Sequence, residues 1–148
     1  MAGPIFLDTN IFIYAAGKSH PYKNPCLHIL KDVERKALSA LVNTEVFQEL
    51  LYRYTHIGFA EKGIQLCRTI RNYPLMIYPI NETDILLAID LFEQHQSRGI
   101  KPRDAVHAAN LKNNGIVELI SADKHFDHFE FLTRIDPQDY NPQDETAG

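Results

Sequence analysis

Tryptophan is absent from this 148-residue chain, and cysteine and methionine occur only twice each. Cys26 and Cys67 share no short motif, which excludes a disulfide framework or a cysteine-based zinc site; both are expected as free thiols in a reducing compartment. Basic residues are also in deficit. Lys and Arg total 15 against 19 Asp and Glu, and the formal net charge of -4 excludes a nonspecific nucleic-acid coat, though not a local basic groove. Long apolar runs are missing too: no stretch approaches the roughly 20 residues that cross a bilayer, and no basic segment followed by an apolar core opens the chain. A soluble, cytoplasmic protein with no membrane partner is expected.

What is present is a 45% hydrophobic composition, enough for one core in a single domain. Short β-prone runs, Ile5 to Leu7, Leu38 to Val42, Leu75 to Tyr78, Val117 to Ile120 and Thr133 to Ile135, alternate with longer stretches of helical period. Asn24 and Pro25 suit a helix start, with Leu27, Leu30 and Val33 on one face. A helix from Asn43 or Thr44 carries Val46, Phe47, Leu50, Leu51 and Tyr54 to a stop at Gly58, and further helices are expected over Phe59 to Arg71, Thr83 to Arg98 and Pro102 to Gly115. Alternation of this kind builds an α/β fold with a central parallel sheet of four to five strands flanked by helices. The domain is expected over residues 1–136. Its end, residues 137–148, is polar and rich in proline and acid, and reads as a loosely held tail.

In "FLDTNIFIY" an ionisable Asp8 interrupts an apolar strand at its carboxyl end. A buried carboxylate without a partner is costly, so a partner is expected. Open parallel sheets bind ligands at the carboxyl ends of their strands, and there Asp8 is joined by Glu45 and Glu49 after the second run, by Asp104 at a helix start, and by Asp123 in "ISADKHFDHF". Clustered carboxylates repel unless they share protons or hold a cation, and oxygen-only ligands select Mg²⁺ or Mn²⁺ over zinc. Such a site activates water for displacement at phosphorus, in a nuclease or a phosphatase. Each acid also has an ordinary use: Asp8 as a helix cap, Asp104 in a first helical turn, Asp123 in a turn, Glu45 and Glu49 on a solvated helix face.

The segments "FLDTNIFIY", "NTEVFQELLYRY", "KPRDAVHAANLKNNG" and "ISADKHFDHF" stand in the order and approximate spacing of the PIN-domain ribonucleases. The chain resembles that family from residue 5 to about 135, and within it the VapC toxins of toxin–antitoxin pairs. The resemblance implies a three-layer PIN-like fold, an RNA substrate cut to 5′-phosphate and 3′-hydroxyl products, and a cognate antitoxin that masks the site. It implies that Asp8 and Asp104 hold Mg²⁺ or Mn²⁺, that Asp123 matches the acid after the fourth strand, and that Asn10 matches a small polar supporting position. Glu49, followed by Leu50 and Leu51, fits the helical glutamate better than Glu45, which lies one turn nearer the strand. Asp127 is a further candidate. The oligomeric state, a homodimer included, is left open.

A phosphatase with an aspartyl nucleophile needs a second Asp two residues after the first, where this chain has Asn10, so metal-activated water is preferred. A catalytically silent PIN module would be marked by loss of an acid, and none of the four is missing. His107 is expected as a packed or surface residue rather than a site member. His125 and His128 lack the further ligands of a zinc site. Lys18, His20, Tyr22 and Lys23 form a basic loop with an aromatic, read equally as a solvated loop or an RNA contact, as are Arg53, Lys101, Arg103 and Lys124.

Overall fold

The computed structural model describes residues 3–142. Five short strands, β1 (Ile5–Leu7), β2 (Ala40–Asn43), β3 (Met76–Tyr78), β4 (Glu118–Ile120) and β5 (Thr133–Ile135), form one parallel sheet in the order β3-β2-β1-β4-β5. Six helices flank it: α1 (Thr9–Ala16), α2 (Lys23–Glu34), α3 (Thr44–His56), α4 (Ala60–Asn72), α5 (Glu82–His95) and α6 (Pro102–Asn113). They pack as consecutive pairs, α1 on α2, α3 on α4 and α5 on α6. A parallel connection needs a long crossover, which is why each strand-to-strand step contains a helix. The exception is β4 to β5, which is bridged by a helical turn at Lys124–His128.

The middle strand is buried on both faces. Phe6 sits in register with Leu41 of β2 and Leu119 of β4, and all three side chains are shielded from solvent. Ile11 and Phe12 of α1, Ile29 and Val33 of α2, Leu50 of α3 and Leu111 of α6 complete the same core. Burial of one such side chain contributes about 1.5–3 kcal/mol, so this layer carries much of the fold's stability.

After β1 the chain builds outward through β2 to β3, then returns to place β4 on the other flank of β1. Strand order thus reverses at β1, and the residues just beyond β1 and β4 face the crevice that such a reversal opens. Asp8 follows β1 directly, and Ser121 follows β4.

Several boundaries differ from the sequence expectation. Leu38 lies outside β2, because its N–H and that of Ala37 both bond to the Asp32 carbonyl at the end of α2. Helix α2 starts at Lys23, and Pro25 falls in its first turn, where a missing N–H costs nothing. Helix α5 starts at Glu82 behind a reciprocal Asn81/Asp84 capping box, and its expected last turn, Gln96–Arg98, tightens to a 3₁₀ turn ended by Gly99 at φ 84°. The segment expected as a loose tail begins as packed chain. Pro137–Asp139 forms a helical turn with Pro137 buried, and the Tyr140 hydroxyl donates to Asp32 Oδ2 at 2.7 Å. The tail from residue 143 onward lies outside the described residues.

Candidate active site

Asp8 serves as cap and as site residue at once. Its Oδ1 accepts from the Thr9 N–H at 2.8 Å, which caps α1, while Oδ2 accepts from the Ser121 hydroxyl at 2.6 Å and from Asn10 Nδ2 at 3.2 Å. Asn10 also donates to Ser121 Oγ and accepts from the Ala122 N–H, so it ties the end of β1 to the end of β4. Asp104 Oδ2 accepts from the Lys101 N–H at 3.0 Å and closes the first turn of α6. Asp123 accepts from the His125 N–H, and its own N–H reaches Ser121 Oγ.

Asp8, Glu49, Asp104 and Asp123 line one cavity of about 810 Å³, together with Glu45 and the cations Arg53, Lys101 and Arg103. Donor atoms of Asp8, Glu49 and His107 lie within 4.8 Å of one another, and so do those of Asp104, Asp123 and His125. Glu49, rather than Glu45, is the helical acid brought against Asp8; Glu45 lines the same wall without joining either group. Asp127 is placed elsewhere, since its carboxylate is held by Arg134 at 2.9 and 3.2 Å and is not part of the cavity.

His107 corrects the sequence expectation in part. It is packed, with no solvent exposure, yet it is also a member of the site. Its Nε2 bonds to Glu49 Oε1 and lies 4.0 Å from Asp8 Oδ1. A signal was available in "DAVH", which puts the histidine one helical turn after Asp104. Ser121, Asn43 and Asn110, all fully buried polar residues, had no such signal. Of the two histidines considered for zinc, His125 joins Asp104 and Asp123, and His128 does not. The loop of Lys18, His20 and Tyr22 is not part of the cavity; Tyr22 donates to Asp136 at 2.8 Å, and Lys23 is bound to the Gly17 carbonyl.

Burial pushes the Asp8 carboxyl up to about 6, opposed by the charge of His107, reinforced by that of Glu49, and opposed again by the Ser121 and Thr9 hydrogen bonds. Burial also raises Glu45 and Asp104, the latter with help from Asp123. For Glu49 burial acts in the same direction but loses to the His107 hydrogen bond and to the His107 and Arg103 charges, so this carboxyl titrates below its ordinary range. His107 is the converse. Burial opposes its charged form, and Glu49, Asp8 and Glu45 outweigh it, so its pKa rises.

A buried Asp8 that is raised by burial and by a neighbouring carboxylate is an electrostatic fit for a cation. The donors facing the cavity are predominantly carboxylate oxygens, which suit a hard divalent ion. Asp8 and Glu49 in one group of donors, beside His107, and Asp104 and Asp123 in the other, beside His125, are the carboxylates that would hold such an ion.

Known proteins share this arrangement of elements. A family profile for the PIN domain matches residues 5–132. Among curated relatives, Ribonuclease VapC23 of Mycobacterium tuberculosis is 30% identical over 127 residues, covering 84% of this chain and 93% of the relative. VapC ribonuclease Mb1869c of Mycobacterium bovis is 30% identical over 131 residues, covering 88% and 98%. In the solved structure of VapBC2 from Rickettsia felis, bound to a DNA fragment from its promoter, one chain superposes with a TM-score of 0.70 at 19% identity, covering 90% of this chain and 98% of that one. The sarcin-ricin loop cleaving toxin VapC20 of Mycobacterium tuberculosis gives a TM-score of 0.72 at 13% identity, covering 86% and 96%. With a matching profile across most of its length and a five-stranded sheet in the same fold, the chain belongs to the PIN domain family.

Proposed function

We propose that this PIN domain is an endoribonuclease that requires Mg²⁺ or Mn²⁺ and acts in the cytoplasm as the toxin of a toxin–antitoxin pair. The observation that carries this reading is the meeting of Asp8, Glu49, Asp104 and Asp123 in one cavity from four separate parts of the chain. Bound among these acids, the divalent ion supplies Lewis-acid activation of water and neutralises charge at phosphorus. The chain's own residues do the rest. Asp8 is oriented by Thr9, Asn10 and Ser121, and Glu49 by His107. Lys101, Arg103 and Arg53 on the cavity wall supply the positive charge that phosphates require. Tyr52 lines the same cavity, exposed and stacked on His56 with ring planes 10° apart, a surface suited to an unstacked nucleobase.

The ribonuclease names of the curated relatives support RNA as substrate, and solved neighbours titled as VapBC or toxin–antitoxin complexes support an antitoxin partner. No helix among the described residues is long and apolar enough to cross a membrane. We assign the activity to a unit within residues 1–136, with residues 137–148 as an extension, and leave a homodimer as an assembly to be measured. A silent binding module is not favoured, since every acid is present and the cavity is open.

Incubation of purified protein with mixed RNA, with Mg²⁺ and with EDTA, beside Asp8→Asn, tests the proposal. Cleavage that needs Mg²⁺ and disappears in the folded variant is expected. Equal cleavage by wild type and Asp8→Asn would remove the assignment.

A further inference from the structure

We infer that a buried chain of side-chain hydrogen bonds, Asp84 to Asn110 to Asn43, fixes the proton of His107 on Nε2 and through that proton holds Glu49 at the cavity wall. Asn43, Asn110 and His107 are then positioning residues for the reaction, an inference that rests on reading the cavity as the active site.

Asp84 is the anchored end. Its carboxylate oxygens receive the Asn81 N–H at 3.1 Å, Asn113 Nδ2 at 2.8 Å and Asn110 Nδ2 at 2.9 Å. The second N–H of Asn110 goes to the Pro79 carbonyl at 3.1 Å, another acceptor. Two acceptor-only partners settle which way the Asn110 amide faces: its nitrogen points at the start of α5, and its Oδ1 points at Asn43. There the approaching atom must donate, and Asn43 Nδ2 does so at 3.3 Å.

The other N–H of Asn43 Nδ2 lies 3.0 Å from His107 Nδ1. In the neutral ring that nitrogen is therefore an acceptor and carries no proton. The remaining nitrogen, Nε2, holds it and donates to Glu49 Oε1. With the proton on Nδ1 alone, a ring lone pair would confront the carboxylate, and Glu49 would turn away. Asn43 Oδ1 is left without a hydrogen-bond partner among the described residues. The fold tolerates this because turning the amide over would set Oδ1 of Asn43 against Oδ1 of Asn110 and lose both bonds. Asp84, Asn110, Asn43 and His107 are each 1% exposed or less, so the chain lies away from bulk solvent. The chain spans the end of β2, the start of α5, one face of α6 and the middle of α3, and it orders them around one proton. Neither Asn43 nor Asn110 lines the cavity, so neither touches a substrate there.

The test is long-range ¹H–¹⁵N correlation spectroscopy on the metal-free, full-length chain labelled in histidine, at pH 8. His107 is expected to show an unprotonated, pyridine-type Nδ1 and a protonated Nε2. Asn43→Asp offers Nδ1 an acceptor and is expected to move that nitrogen to the protonated type. Asn110→Ala frees the Asn43 amide to turn and is expected to shift Nδ1 to an averaged position, which serves if Asn43→Asp does not fold. In single-turnover cleavage of RNA with Mg²⁺, both variants are expected to lower the rate about tenfold while half-saturation by RNA stays within about twofold, as loss of an orienting partner does. A protonated Nδ1 in the wild type, or a wild-type ring spectrum in both variants, overturns the inference. Expected nitrogens in a wild type that cuts no RNA with Mg²⁺ or Mn²⁺ would instead remove the ribonuclease reading and leave the tautomer assignment standing.

Discussion

The Ser121 hydroxyl donates to Asp8 Oδ2 across 2.6 Å, and the same Oγ accepts from the Asp123 N–H at 2.9 Å and from Asn10 Nδ2 at 3.2 Å. One hydroxyl thereby sets the spacing of two acids that leave different strands. Ser121→Ala is expected to fold and to weaken Mg²⁺ binding about tenfold or more in a calorimetric titration, because ligands that lose an orienting partner bind metal less tightly. Unchanged affinity would mean that Thr9 and Asn10 suffice to orient Asp8.

The raised Asp8 carboxyl makes metal-free stability fall with pH. Its folded value of about 6 exceeds the unfolded value of 3.8, so the native state binds the extra proton more tightly. The associated stability is complete below pH 3.8 and is lost as pH rises through about 6. The loss is on the order of 3 kcal/mol. His107, also raised, acts in the same direction above its unfolded value of 6.5. Glu49, lowered, opposes only below 4.5. Urea unfolding in EDTA should therefore show a lower midpoint at pH 7.5 than at pH 5, and the reverse order would refute the strain at Asp8.

Mg²⁺ should relieve that strain. A cation that binds only the folded form at a hundredfold excess over Kd adds about 2.7 kcal/mol. For a chain of this size that raises Tm by roughly 5–10 °C at pH 7.5. Asp104→Asn is expected to melt above wild type in EDTA, since burial and Asp123 both disfavour its charged form, and to respond less to Mg²⁺. Coincident wild-type melts in EDTA and Mg²⁺, with Asp104→Asn melting lower, would recast Asp104 as a helix cap alone.

Lys36 holds a left-handed backbone at φ 62°, just past the end of α2, with its N–H on the Val33 carbonyl and its side chain exposed. Glycine adopts that region without the Cβ penalty. Lys36→Gly should stabilise the protein by about 0.5–1 kcal/mol in denaturant melts. A less stable variant would show that the Lys36 side chain contributes more than its backbone costs.

The thiols should separate by reactivity. Burial pushes Cys26 up to about 12, and it has no solvent exposure, whereas Cys67 is half-buried and raised less far. A disulfide reagent at pH 8 is expected to label Cys67 slowly and Cys26 only after unfolding. Rapid labelling of two thiols in the native protein would contradict the packing of Cys26 in the core.

The sheet was legible because strand and helix periods are local properties. Five β-prone runs separated by helix-length segments allow few connections other than parallel ones, and parallel strands gather their carboxyl ends on one edge. The placement of Asp8 and Asp123 beyond the carboxyl ends of β1 and β4 therefore followed from the order of elements alone. Glu45 and Glu49, four positions apart, share one helix face, and the family resemblance favoured Glu49 over its neighbour. In the fold Glu49 is the one that meets His107, 58 residues away.

Only tertiary structure could decide the rest, because each remaining feature depends on a distant partner. Whether His107 is packing or site depends on Glu49 and on Asn43, 64 residues earlier. Asp127 left the site because β5 presents Arg134 to it. Tyr140 docks because Asp32, 108 residues before it, offers a carboxylate oxygen. A sequence determines which groups are available and which face of an element they share, while the side chain opposite each of them is set by packing between elements that are far apart along the chain. The charge and proton state of a buried acid or imidazole follow that opposite side chain.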